Sequence, residues 1–121
     1  MSFSPEELEL IRRAEEVEIE TQAPDGPVHR TVIWAVVDDE RVFIRSVDGS
    51  QARWYREAQA NPAVALHVEG RRLTATAIPA TDPDSVQRTS DRIAEKYAGD
   101  PSTDTMLREE ILDTTLRLEP T

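Results

Sequence analysis

Residues 42–62 read VFIRSVDGSQARWYREAQANP, and this stretch sets how the rest of the chain is understood. Its apolar start belongs to a strand over 41–47, which Gly49 and Ser50 break. Ser50 then starts a helix expected to run to about Ala60, and Asn61 and Pro62 stop it, because the residue before a proline avoids helical angles. Arg45 and Ser46 end the strand, Gly49 permits close backbone approach, and Arg53 falls in the first helical turn. A cation there opposes the positive end of the helix dipole, so its position points to a negative group nearby. Unpaired amides at a helix start, flanked by two guanidinium groups, form an anion pocket that suits a phosphate. The competing reading pairs Arg45 and Arg53 with carboxylates and makes Trp54 and Tyr55 core or dimer anchors.

Outward from this stretch, the chain alternates short strands with a few helices. Ser4, Pro5 and Glu7 give an N-cap, a proline at the first helical position and a capping-box partner. Phe3 and Leu8 are placed as a hydrophobic staple, and the helix is expected to reach about Glu16. Residues 17–21 alternate as a strand, and the loop from Ala23 to Pro27 ends it. Residues 31–37, β-branched and apolar around Trp34, read as one central strand covered on both faces. Asp38 and Asp39 turn the chain back into 41–47. A hairpin follows over 63–68 and 71–78, with Val64, Leu66 and Val68 on one face. Asp82, Pro83 and Ser85 open a helix whose Val86, Ile93 and Tyr97 share a face and which Gly99 ends. A brief helix over 103–110 and a last strand over 114–120 complete the chain. Six short strands joined mainly by hairpins predict an α+β, mainly β, six-stranded antiparallel split β-barrel with three or four short helices, in one domain spanning 1–121.

The composition narrows the function classes. With 24 acidic and 14 basic residues the formal net charge is −10, which repels nucleic-acid backbones and anionic membrane surfaces. An anionic ligand would therefore need a local basic pocket. The absence of cysteine rules out disulfides, iron–sulfur clusters and thiolate zinc sites. No apolar run approaches membrane-spanning length and no basic-then-apolar leader opens the sequence, so a cytoplasmic location is expected.

Taken together, Arg45 and Ser46 on a strand, the Gly49 loop, the helix carrying Arg53, Trp54 and Tyr55, and the Asn61-Pro62 stop resemble the FMN-binding split-barrel superfamily. This is the pyridoxamine 5'-phosphate oxidase-like group, and the likeness is greatest to its small deazaflavin-dependent nitroreductase-like and uncharacterised bacterial branches. It covers about residues 28 to 79. What the resemblance implies is a homodimer whose flavin ring lies in a groove completed by the second subunit. It also implies that the cofactor phosphate is held by this segment, with Arg45, Ser46, Arg53 and Trp54 as contacts. Gly49 and Ser50 supply the loop and helix start, Tyr55 helps shape the ring pocket, and Thr31 or Ser46 meets the ring edges. The sequence lacks the doubly basic phosphate motif of the oxidase itself, which argues against a B6 substrate. The cofactor is expected to be FMN or a deazaflavin.

Other candidates carry blander readings. His29 and His67 are the only histidines, too few for a metal site, and are expected at the surface. Asp82 and Asp84 flank a proline where a cap suffices, and the row Arg88, Arg92, Lys96 is expected to balance local acids. No phosphate-loop, dinucleotide or nucleophile-elbow signature is present. The leading expectation is an oxidoreductase passing hydride or electrons from a bound flavin or deazaflavin to a small organic acceptor, with no catalytic side chain identified. The alternative is a split-barrel protein that binds a cofactor or metabolite without catalysis.

Overall fold

The computed structural model describes residues 2–121. Helix α1, Pro5–Arg13, has the expected capping box: the Glu7 amide donates to Ser4 Oγ at 3.1 Å and the Ser4 amide donates to Glu7 Oε1 at 2.8 Å. Phe3 and Leu8 are both buried in the same core, as a staple requires. The helix stops at Arg13, short of Glu16, because Ala14 is already extended.

Seven strands follow in one antiparallel sheet: β1 Val17–Gln22, β2 Val28–Ile33, β3 Ala35–Asp38, β4 Arg41–Ile44, β5 Ala63–Val68, β6 Arg71–Pro79 and β7 Leu116–Pro120. Their order across the sheet is β2-β1-β5-β6-β7-β4-β3. The expected six strands become seven because residues 31–37 do not form one central strand. The chain breaks at Trp34, and the two pieces are the opposite edges of the sheet. One residue joins those edges, so the sheet must curl until they meet, which makes the split barrel.

The inward face carries the main core. Val17, Ile19, Val42, Ile44, Val64, Leu66, Leu73 and Leu116 are all at most 7% exposed. Burying each such side chain contributes roughly 1.5–3 kcal/mol against the conformational entropy of folding. Tight two-residue turns set the registers. Asp39 (φ 58°) turns β3 into β4, and Glu69 (φ 48°) with Gly70 (φ 80°) turns β5 into β6.

The outer face of β3 and β4 is covered by helices. Helix α3, Pro83–Lys96, is capped by Asp82, whose carboxylate accepts the Ser85 amide at 3.0 Å. With α4, Thr103–Met106, and a 3₁₀ segment, Glu109–Thr114, it packs Ile93, Tyr97, Met106 and Ile111 on Val36 and Phe43. This α4 and 3₁₀ pair replaces the expected helix over 103–110, and the final strand begins at Leu116 rather than at Thr114.

The segment between β4 and β5 also differs from expectation. Gly49–Gln51 is a separate 3₁₀ turn, Ala52 is extended, and helix α2 begins at Arg53 and ends at Ala60. Ser50 is exposed and caps nothing, since the N-cap of α2 is Ala52. No helix among the described residues is long and apolar enough to cross a membrane.

Candidate functional site

A cleft of about 300 Å³ opens where the two sheet edges part. The end of β2 and the corner supply Thr31, Val32, Ile33 and Trp34, and α2 supplies Trp54. The α1–β1 link adds Glu15 and Glu16, the loop after β4 adds Val47 and Asp48, and the α3–α4 region adds Asp100, Ser102 and Met106. Arg45 also borders the cleft.

The cleft has two distinct ends. At one, Trp34 lies flat on Tyr97, with ring centroids 3.8 Å apart and planes 7° from parallel. The Tyr97 hydroxyl donates to the Glu15 carbonyl at 2.8 Å, and burial pushes that phenol above its ordinary pKa. Behind Tyr97, the Lys96 ammonium sits 5.3 Å from the ring centre and donates to the Ile11 and Ala35 carbonyls at 2.9 and 2.7 Å. Burial without a carboxylate partner lowers its pKa to about 8. The indole of Trp34 is thereby held as a fixed plate. At the other end, Arg53 Nη2 donates to Thr31 Oγ1 at 3.3 Å, while Trp54 next to it is 6% exposed and set edge-on to Tyr55.

The structure brings Thr31, Arg45 and Trp54 to this cleft and sets Arg53 at its rim through Thr31. The two arginines nevertheless face different surroundings. Arg45 is 1% exposed, and all three of its guanidinium nitrogens are engaged by the protein. Its Nε donates to Thr115 Oγ1 at 2.9 Å, Nη1 to Ser90 Oγ and the Met106 carbonyl at 3.0 Å, and Nη2 to the Val86 carbonyl at 3.1 Å. No carboxylate pairs with it, and burial lowers its pKa to about 10. Arg53 is half-exposed; besides Thr31, its closest partner is Glu57, at 3.8 Å. The first amides of α2 have no side-chain cap.

The remaining expected residues lie away from the cleft lining. Ser46 is fully buried: its amide donates to Thr114 Oγ1 at 3.1 Å and its hydroxyl to the Gly49 carbonyl at 2.8 Å. Gly49, at φ +69°, packs beside Ile111. The Tyr55 hydroxyl, whose pKa burial raises, points toward the Asp113 carbonyl at 3.4 Å and accepts from Gln59.

Both histidines are tied to glutamates outside the cleft. His29 Nδ1 lies 3.1 Å from Glu57 Oε2 and His67 Nε2 lies 2.7 Å from Glu20 Oε1. Glu57 also accepts from Thr21 at 2.7 Å. Burial would raise the Glu57 carboxyl, yet Thr21, His29 and Arg53 together hold it below its ordinary value. Arg72 and His67 hold Glu20 down to about 2. The row on α3 divides: Arg88 and Arg92 converge on buried Asp38 at 3.1 and 3.7 Å, whereas Lys96 turns inward. No cluster suited to a metal ion occurs among the described residues.

Sequence reasoning missed Trp34 and the acidic residues of the cleft. Ile33, Ala35 and Val37 all face the same core, so the alternation stays in phase through the corner and gives no sign of it. The carboxylates come from three separate connections and have no common spacing.

Comparison with known proteins agrees with this architecture. The conserved hypothetical protein Rv2991 of Mycobacterium tuberculosis superposes with a TM-score of 0.75 at 18% identity, covering 98% of this chain and 81% of that one. HutZ, the heme storage protein of Vibrio cholerae, gives 0.73 at 17% identity, covering 100% and 92%. An F420-H2 dependent reductase, FDR-A, gives 0.65 at 16% identity, covering 87% and 94%. At such identities the likeness is one of fold, and the fold is the split barrel of the pyridoxamine 5'-phosphate oxidase-like proteins. No curated protein matches the sequence. A family model does match, over residues 7–118, and the chain accordingly belongs to DUF2255, the family described as an uncharacterized protein conserved in bacteria.

Proposed function

We propose that the cleft binds a planar, phosphate-bearing redox cofactor of the flavin or deazaflavin class, and that the protein is an oxidoreductase acting on a small organic acceptor. The observation that carries this reading is a cleft of about 300 Å³ with two indoles in its lining and a half-exposed guanidinium at one rim. The ring would lie against Trp54 at the Arg53 end, where the Thr31 hydroxyl would meet its edge, and Trp34 would close the far end of the cleft. Arg53, with the uncapped amides that open α2, would take the phosphate. Arg45 would act from behind, fixing the cleft wall through its bonds to α3, α4 and Thr115, the residue that follows the 3₁₀ segment. Ser46, Gly49, Ser50 and Tyr55 would shape the loop and helix that carry Arg53 and Trp54. A bound flavin or deazaflavin supplies hydride or electron transfer, and the polypeptide orients the ring and screens water.

The structural relatives include proteins named as an F420 reductase, an F420-H2 dependent reductase and a heme storage protein. Heme fits this cleft less well, because neither histidine lines it and both are held by glutamates elsewhere. A second copy of the chain would complete the groove. Val28, Val32 and Val47 are the exposed large hydrophobic residues among those described, and Val32 and Val47 line the cleft mouth.

Titration of tryptophan fluorescence with FMN, riboflavin and a deazaflavin tests the reading. FMN is expected to bind tighter than riboflavin, and Arg53→Ala is expected to weaken FMN binding by about 1–3 kcal/mol, the worth of a charged hydrogen bond. Equal affinity for FMN and riboflavin, untouched by Arg53→Ala, would remove the phosphate assignment. Turnover with a reduced nicotinamide or reduced deazaflavin and an acceptor dye then separates an enzyme from a carrier.

A further inference from the structure

The cleft is electrically lopsided, and the imbalance points to the kind of second ligand it receives. Glu15, Glu16, Asp48 and Asp100 all line it, and none of them forms an ion pair among the described residues. Arg45, the one cation in the lining among the described residues, has its nitrogens turned onto Thr115, Ser90, Met106 and Val86. Glu15 and Asp100 are tied to the Trp34 end through their backbones: the hydroxyl of Tyr97, the residue stacked on that indole, donates to the Glu15 carbonyl, and the Tyr97 backbone carbonyl accepts the Asp100 amide at 3.1 Å. Arg53 stands at the other end, beside Thr31.

An aromatic face flanked by unpaired carboxylates attracts organic cations twice over. The ring quadrupole favours positive charge above it, and the carboxylates around the cleft add Coulombic attraction that an anion would meet as repulsion. Resting on the reading of the cleft as a cofactor site, the geometry points to a cationic organic molecule as the acceptor, one bearing an aromatic or quaternary ammonium group. It docks on Trp34 between Glu15, Glu16 and Asp100. The net charge of −10 works in the same direction, steering cations toward the chain and anions away.

The experiment uses the full chain and two probes of one ring system, the cation 1-methylquinolinium and the anion quinoline-2-carboxylate, read by tryptophan fluorescence at low and high salt. The cation is expected to bind at least about tenfold tighter than the anion, with salt weakening it. The double variant Glu15→Gln/Glu16→Gln, at exposed positions where folding is undisturbed, is expected to weaken the cation by about fivefold. An anion that binds as well as the cation overturns the inference, and so does a cation affinity unmoved by both salt and the double variant. A parallel FMN titration of the unaltered chain keeps the two readings apart. If FMN fails to bind while the cation shows the expected salt and variant effects, the cofactor reading falls and the cation site stands. If FMN binds and the cation shows no preference, only the cation site falls.

Discussion

Arg45 and Arg53 share a side-chain type and differ in everything that decides its use. Arg45 is buried and its guanidinium serves a tyrosine-free ring of hydroxyls and carbonyls, whereas Arg53 is half in water with one hydroxyl contact. Losing the first should be a stability event. Arg45→Met would leave the Met106 carbonyl without its donor in the interior, at a cost of about 1–3 kcal/mol. Denaturant unfolding of Arg45→Met should show that loss, while Arg53→Ala should stay within roughly 0.5 kcal/mol of the parent. The opposite ranking would show that Arg53 holds the fold and Arg45 does not. From sequence the two looked equivalent, because nothing local to Arg45 announces that α3, α4 and Thr115, all much later in the chain, converge on it.

At the scale of elements, most of the fold was legible where local chemistry and periodicity agree. The capping box of α1, the Asp82 cap of α3 and the Glu69-Gly70 hairpin each occur as read, since caps and turns depend on near neighbours. The failures lie where tertiary closure overrides local pattern. Residues 31–37 are almost wholly apolar, but closing the sheet on itself demands a corner, and Trp34 takes it. Ser50 looks like a cap, yet Gly49 at φ +69° tightens the chain into a 3₁₀ turn and delays α2 until Arg53. Of the cleft, the α2 half was readable as one contiguous segment, whereas its other walls are assembled from parts distant in sequence.

The tie between elements made by Lys96 gives a prediction with a definite sign. Its ammonium binds carbonyls from the end of α1 and the start of β3, and burial lowers its pKa to about 8 from 10.5. Between those values the unfolded chain holds a proton that the folded chain has released, so the free energy of unfolding should climb as pH rises from about 8 toward 10.5. The climb is best followed below pH 10, before tyrosine ionisation adds to the profile. Denaturant titrations of the parent and Lys96→Met across that range should show the climb in the parent and its absence in the variant. Parallel profiles for the two proteins would mean that the buried ammonium carries no penalty.

For the whole molecule, the decisive fact is that a closed sheet still has one open seam. Strand β2 bonds only β1, so its other edge offers unpaired amides and carbonyls, and Val28 and Val32 on it are 51% and 54% exposed. An edge that is both unpaired and apolar invites self-association unless something covers it. In this chain the same strand forms one wall of the cleft, so a second copy seated there would protect the edge and extend the groove together. Sedimentation velocity should therefore show a dimer, and Val28→Lys/Val32→Lys should shift it to monomer. Both positions face solvent in the single chain, so the monomeric variant should keep its secondary structure and unfold within about 0.5 kcal/mol per site of the parent at matched monomer concentration. Ligand affinity of the single variant Val28→Lys, whose position is outside the cleft lining, should fall with the dimer if the groove needs both copies. A double variant that stays dimeric would move the interface off β2, and a monomeric variant with full affinity would show that one chain builds the site alone.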